Sequence, residues 1–294
     1  MSQPAGSRAN RLGVFYMVLA ALFFATGGLV LKWTNWNAQA LNGIRSLFGA
    51  VVIGTFMLCT HRKIVLNRTV VLGAASYVIM TTLFVAANKL TAAGNVIVLQ
   101  FTCPLWITLI NLIFFHKRPA RKEILGMIFI CAGILCFFCD SLSSGSMAGN
   151  LLALASGLFY GILFMINSMK GGDALSSVFI GQIIGFLCFS PFSLSCSWDL
   201  QNVLSVLWLG AFQVGFAYLF FSLGTALITP LQASLVTGLE PVLNPLLVAM
   251  AGYERLTSLS LLGAAIVIGS VLWVSAPPMR IRKRQTAEPS GSFD

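Results

Sequence analysis

Ten stretches of this chain are long and almost uninterruptedly apolar, and the polar residues gather in the short segments between them. They fall near residues 13–32, 39–60, 69–89, 92–115, 123–139, 149–168, 174–194, 203–224, 229–250 and 257–276. A helix rises about 1.5 Å per residue, so about 20 apolar residues cross a hydrocarbon core of roughly 30 Å. The runs are continuous rather than alternating with period two, which predicts membrane-spanning helices and not the strands of a barrel. The first run is too long for a signal-peptide core and lacks a clear small-x-small cleavage site, so it reads as a retained helix.

The pattern then repeats itself. Sliding the chain by 137 positions lays Leu72-Gly73-Ala74 on Leu209-Gly210-Ala211, Phe84 on Phe221, Leu90 on Leu227, Pro104 on Pro241 and Arg118 on Arg255. At a shift of 136, Gly13 meets Gly149 and Gly49 meets Gly185. Each copy holds five spans, and an odd number forces the copies to enter the membrane in opposite orientations, as in many secondary transporters. The expected fold is an all-α integral membrane protein of ten transmembrane helices in two inverted five-helix repeats. The first repeat would be 13–139 and the second 149–276, with an extracytoplasmic connector at 140–148. Residues 1–12 and the basic tail 277–294 would be cytoplasmic.

Composition agrees with the pattern. The chain is 57% apolar and 9% charged, against about 25% charged for a soluble domain. Its net charge of +10 could suggest nucleic acid, but the distribution points to the membrane instead. With the N-terminus inside, 14 of the 18 basic residues fall in cytoplasmic segments, including Arg62, Lys63, Lys117, Arg118, Arg121 and Lys122. Retained positive charge is the ordinary determinant of orientation. The loop His116-Lys117-Arg118-Pro119 is basic, whereas its counterpart Tyr253-Glu254-Arg255-Leu256 is nearly neutral, as inversion requires. The expected location is the cell membrane, with both termini cytoplasmic and a lipid bilayer as partner.

Several chemistries have no residues to support them. No G-x-x-x-x-G-K-[ST] loop occurs, so ATP hydrolysis is not the driving force. His61 and His116 both lie in basic loops, and no H-E-x-x-H motif appears. A membrane enzyme needs a nucleophile or metal with a base at depth, and none is evident; the expectation is a non-enzyme without cofactor or metal. The seven cysteines lie in or beside spans and read as small hydrophobes. Cys136-x-x-Cys139 stands alone, without a second pair or a nearby histidine.

Ionisable residues inside a span are costly and usually face a cavity or a partner. Glu240 lies midway along the ninth span, is followed by Pro241, and has Pro245 one turn later. Each proline removes a backbone donor and frees carbonyls, so an acid sits beside broken backbone near the midplane, as in transporter binding sites. It either handles substrate or a proton, or stays protonated and hydrogen-bonds groups near the break. Thr237, Glu240 and Asn244 share one face at helical spacing. The repeat counterpart of Glu240 is Cys103, which carries no charge. Arg45, near the outer end of the second span, either binds an acidic group or snorkels to the interface, the reading favoured here. Lys32 and Lys89 end the first and third spans and serve either as interface anchors or as an electropositive outer vestibule with Arg45. Gln100, Thr81, Tyr160 and Tyr218 are uncharged polar groups at depth, either interhelical ties or pathway residues. Gly157-x-x-x-Gly161 and Gly181-x-x-x-Gly185 read as packing surfaces.

These residues resemble the drug/metabolite transporter superfamily, in its ten-helix branch of two EamA repeats. The similarity is strongest in "ALITPLQASLVTGLEPVLNPLLVAMAGYERLTSLSLL" (226–262) and is echoed by "KLTAAGNVIVLQFTCPLWITLINLIFFHKRPARKEILG" (89–126). Lys32 ending the first span and Arg45 in "GIRSLFGA" also look like the family's usual choices. The resemblance implies a central cavity lined by the first, third, fourth, sixth, eighth and ninth spans, and transport of amino acids, other small metabolites or toxic compounds. Cys103 departs from the acid-proline pattern, so a scheme with two carboxylates is not supported. The expected function is a secondary transporter, most simply an exporter, of small polar or amphiphilic metabolites by alternating access, with a proton as the first candidate coupling ion. The pathway would hold Glu240, Gln100, Thr237, Asn244, Tyr160, Tyr218 and Thr81. Two other readings stay open: a non-transporting membrane sensor or assembly protein, and an antiporter of sugar phosphates or nucleotide sugars.

Overall fold

A computed structural model describes residues 7–31, 33–91, 93–139, 142, 146–252 and 257–276. The expectations for Lys32 and for the loop around Arg255, together with residues 1–6, most of 140–145 and 277–294, lie outside the described residues. Among the described residues, thirteen α-helices follow in order: α1 (Ser7–Leu31), α2 (Ala38–Cys59), α3 (Arg68–Leu90), α4 (Ala93–Gln100), α5 (Cys103–Phe114), α6 (Arg121–Phe138), α7 (Met147–Met165), α8 (Ala174–Phe189), α9 (Leu200–Trp208), α10 (Ala217–Thr225), α11 (Pro230–Thr237), α12 (Glu240–Met250) and α13 (Ser258–Ser275). A π-helical segment, Leu209–Phe216, joins α9 to α10. No strand occurs among the described residues.

Local chemistry sets the starts of these helices. The side chains of Asn37, Asn67, Ser146, Asp199, Thr229 and Thr257 each accept a bond from a backbone N–H three residues on, which satisfies one of the donors that a helix start leaves free. Asp173 caps α8 through Leu175.

Among the described residues, nine helical segments are long and apolar enough to cross a membrane. The fifth expected span is α6, an 18-residue helix. Its first turn holds Arg121, Lys122 and Glu123, so its apolar run is shorter than that of the others. It packs along α13. Large apolar side chains such as Leu58, Phe114, Leu187, Leu194 and Leu272 point outward, the surface expected of a protein solvated by hydrocarbon rather than water.

The helices pack in matched pairs. Helix α1 lies on α10 and α12, while α3 lies on α8 and α7; α2 crosses α8, and α6 runs with α13. Close approaches recur at equivalent positions. Gly13 lies against Leu227 and Ile228, and Gly149 against Leu90 and Thr91. Gly49 lies against Gln182 where Gly185 lies against Ser46, and Gly126 meets Val274 where Gly263 meets Phe137. The sequence offset is thus repeated contact by contact in the packing.

Two spans are discontinuous, and at equivalent places. The fourth breaks at Phe101-Thr102 between α4 and α5, the ninth at Gly238-Leu239 between α11 and α12. At both breaks the chain tightens into bonds three residues apart. Thr102 N–H bonds Leu99 C=O (3.2 Å) and Leu105 N–H bonds Thr102 C=O (2.9 Å); Leu239 N–H bonds Val236 C=O (3.2 Å) and Val242 N–H bonds Leu239 C=O (3.2 Å). Each new helix carries a proline in its first turn, where the fixed φ suits a helix start.

Candidate functional site

The two breaks and the middles of the neighbouring helices enclose one cleft of about 90 Å³, lined by Phe24, Arg45, Tyr77, Met80, Thr81, Phe84, Gln100, Tyr160, Gln213, Val214, Tyr218 and Glu240. Side chains from α1, α2, α3, α4, α7, the π segment, α10 and α12 therefore meet in one place. Of the expected pathway residues, Glu240, Gln100, Tyr160, Tyr218 and Thr81 lie here together.

The aromatic groups form the frame. The Tyr218 ring meets Phe24 edge-on at 4.8 Å between centroids and Tyr77 edge-on at 5.0 Å, the geometry that ring quadrupoles favour. Tyr160 packs against Phe164 at 4.7 Å. Gln100 is fixed by donating from Nε2 to Ser156 Oγ (2.8 Å), and Ser156 Oγ in turn donates to the Met80 carbonyl (3.1 Å). This chain ties the first break to α7 and α3. Gly157 of α7 brings its backbone against the carbonyls of Leu99 and Gln100 at the break, so that glycine has a more particular role than general helix packing.

The charged groups decide the chemistry. Glu240 opens α12, directly after the second break, and lines the cleft. Arg45 also turns into the cleft rather than to the outer interface. Its Nη2 donates to Asn42 Oδ1 (2.9 Å) and its Nη1 to Gln213 Oε1 (3.3 Å). These acceptors are what hold a guanidinium inward that could otherwise snorkel along its aliphatic stem. Tyr218 lines the same cleft as Arg45 and Glu240. One cleft thus carries an acidic group, a basic group and several phenol and amide groups.

Other expected residues lie elsewhere. Thr237 is fully buried and donates from Oγ1 to the Ala233 carbonyl (2.9 Å), while Asn244 is half-buried on α12; neither lines the cleft. The physical reason is the break: Gly238-Leu239 interrupts the 3.6-residue period, so Thr237 does not share a face with Glu240 as an unbroken helix would have it. Lys89 sits in a separate groove between α2 and α3, where its Nζ donates to Gln39 Oε1 (2.9 Å). Phe24, Met80, Phe84 and Val214 were not anticipated. The signal for two of them was available in the spacing of Tyr77, Met80, Thr81 and Phe84 at i, i+3, i+4 and i+7 on α3. Among the described residues no group of three or more His, Cys, Asp or Glu side chains could hold a metal ion.

A polar cleft enclosed by membrane-length, interrupted helices is the architecture of a multi-pass membrane transporter. The chain belongs to the EamA-like transporter family, whose model matches residues 11–139 and 147–276. It is similar over nearly its whole length to Uncharacterized protein PA1977 of Pseudomonas aeruginosa, 25% identical over 287 residues, covering 95% of this chain and 99% of the relative. Uncharacterized transporter YwfM of Bacillus subtilis is 26% identical over 287 residues, covering 93% of this chain and 96% of its own length. An Uncharacterized transporter of Archaeoglobus fulgidus is 22% identical over 276 residues, covering 90% and 97%. A solved crystal structure of a protein shares the fold, with a TM-score of 0.77 at 17% identity over 89% of this chain and 95% of that one. The protein is therefore a membrane transporter and not an enzyme, and its substrate is a small molecule.

Proposed function

We propose that the protein exports small zwitterionic or amphiphilic metabolites, amino acids or close relatives, across the cell membrane by alternating access. The observation that carries this reading is the presence of Arg45 and Glu240 in one cleft. A guanidinium recognises a carboxylate through parallel N–H donors, and a carboxylate recognises an ammonium group. A ligand carrying both groups neutralises both walls, and the rings of Phe24, Phe84 and Tyr218 suit an apolar side chain.

The matched contacts and the paired breaks support ten spans in two inverted repeats at 13–139 and 149–276, α6 being the fifth. The basic segments around Arg62 and Lys117 favour cytoplasmic termini. Rocking of one repeat against the other around the two breaks is the motion this symmetry supports. Glu240 is the proposed coupling group, and a proton the proposed driving ion.

Arg45 in the cleft also favours a second reading, exchange of sugar phosphates or other organic anions. Glu240 on the same cleft opposes a doubly charged phosphate, so the zwitterion is preferred. The test is comparative metabolomics of medium and cytosol from cells expressing wild type, Glu240→Gln or empty vector at matched membrane levels. The expected result is a few amino-acid-like compounds enriched outside by the wild type alone. Enrichment of phosphorylated compounds instead would select the second reading, and identical profiles for wild type and vector would remove both.

A further inference from the structure

The π-helical segment Leu209–Phe216 is the one departure from α geometry in the eighth span that its repeat counterpart does not share: α3 runs as an unbroken helix through the equivalent positions 72–79. In an α-helix, residues five apart point about 140° away from one another. A π turn bonds each residue to the fifth along, which widens the turn and brings such positions back toward one face. Two pairs use that geometry, the second reaching from the segment into α10. Gly210 and Gly215 both lie against α2, the first on the backbone of Arg45 and on Phe48, the second on Val52. Gln213 and Tyr218 both line the cleft.

The consequence falls on Arg45. The glycines let the segment approach α2 closely at the arginine itself, and the wide turn carries the Gln213 amide across to it. Gln213 accepts from Arg45 Nη1 at 3.3 Å while its amide rests directly on Gly27 of α1. A larger residue at position 27 would occupy the space of that amide. In the first repeat the counterpart of Gln213 is Ser76, which is fully buried, lines no part of the cleft and leaves its hydroxyl without a partner. The widened turn and the cleft-facing amide therefore occur together, in the repeat that faces the arginine.

We propose that Gln213 is a positioning residue for Arg45, held in place by the π turn, and that with Asn42 it aims the guanidinium at the carboxylate of a substrate. This rests on the reading of the cleft as a zwitterion site. It adds a determinant of selectivity: discrimination between an amino acid and the amine that lacks its carboxylate depends on Gln213 although Gln213 need not touch the substrate.

The experiment uses purified full-length protein in proteoliposomes, and compares uptake of a defined mixture of amino acids with uptake of the corresponding decarboxylated amines. Gln213→Met, which keeps length and shape, is expected to raise KM for the amino acids about tenfold, the size of one charge-assisted hydrogen bond. KM for the amines should rise less than KM for the amino acids, so that the ratio of the two changes, a split that a merely structural residue would not produce. Asn42→Ala, which removes the other acceptor, should shift selectivity in the same direction and guards against a folding defect peculiar to one variant. Equal changes for acids and amines, or none for either, would overturn the inference. Arg45→Ala separates the two levels. If it abolishes discrimination while Gln213→Met preserves it, the positioning role alone falls; if Arg45→Ala preserves discrimination, the zwitterion reading falls and takes this inference with it.

Discussion

The two interrupted spans have the same backbone and different chemistry. Gln100-Phe101-Thr102-Cys103-Pro104 and Thr237-Gly238-Leu239-Glu240-Pro241 align residue for residue, break at the same place and close with the same tight turns. In the first, the residue before the break, Gln100, reaches the cleft, while Cys103 after it is fully buried. In the second the roles reverse: Thr237 before the break is fully buried and Glu240 after it faces the cleft. Duplication supplied two breaks, and the charge was placed at only one. The geometry needed to bend a span is thus separable from the group that acts there.

The most direct way to break this comparison is to remove the charge. Glu240→Gln preserves shape and hydrogen-bonding capacity but cannot take up and release a proton. Gradient-driven accumulation in proteoliposomes is expected to vanish, while substrate exchange without a gradient persists at a raised KM, because the carboxylate that meets the ammonium group is lost. Cys103→Ser, the equivalent change on the other side, should leave both unaltered. Equal accumulation by Glu240→Gln and wild type would show that the acid is not the coupling group, and a loss in Cys103→Ser would mean that the first break carries chemistry of its own.

A second test addresses the packing that holds the first break. A methyl group at Gly157 would stand 2.8 Å from the Gln100 carbonyl oxygen and 3.1 Å from that of Leu99. Both obstacles are backbone, which cannot swing aside as a flexible side chain can. Gly157→Leu should therefore cost about 1–3 kcal/mol or more by overpacking, read as a fall of several degrees in the melting temperature of the purified protein. Gly269→Leu is the control, since nothing lies within 4 Å of a methyl group there. If the two variants melt alike, the close contact of α7 with the break does not constrain it.

Much of this was legible in the sequence because it follows from composition and spacing. Apolar runs gave the helices, the constant offset gave the repeat, and an acid-proline step in an apolar span marked the cleft. The missing part concerns direction rather than position. Thr237, Glu240 and Asn244 looked cofacial only under an unbroken period, and Gly238-Leu239 cancels it. Arg45 looked peripheral because its depth along α2 was readable but its acceptors, Asn42 one turn before and Gln213 on a distant span, were not both so. The stretch LGAFQVGF is apolar in the manner of the α-helical runs around it, and its widened turn left only the five-residue spacing of Gly210 and Gly215 as a trace. Rotation about a helix axis depends on partners remote in sequence, and local pattern does not encode them.

The smallest effect is expected at Pro104, and it sharpens the comparison most. Pro104 and Pro241 each lack the N–H that would otherwise bond the carbonyl four residues back, on Gln100 and Thr237 respectively. Replacing either by alanine offers the same new hydrogen bond, worth about 0.5–1.5 kcal/mol, and the same tendency to straighten its span. Pro104→Ala should change transport little, because the residue it would rotate is the buried Cys103, and Gln100 stays held through Ser156. Pro241→Ala should reduce transport clearly, because straightening there turns Glu240 on its axis. Initial rates of exchange at matched protein density distinguish the two. A matched loss in both would mean that the bend itself, at either site, is what transport requires; a loss confined to Pro241→Ala would mean that the bend matters for where it points the carboxyl.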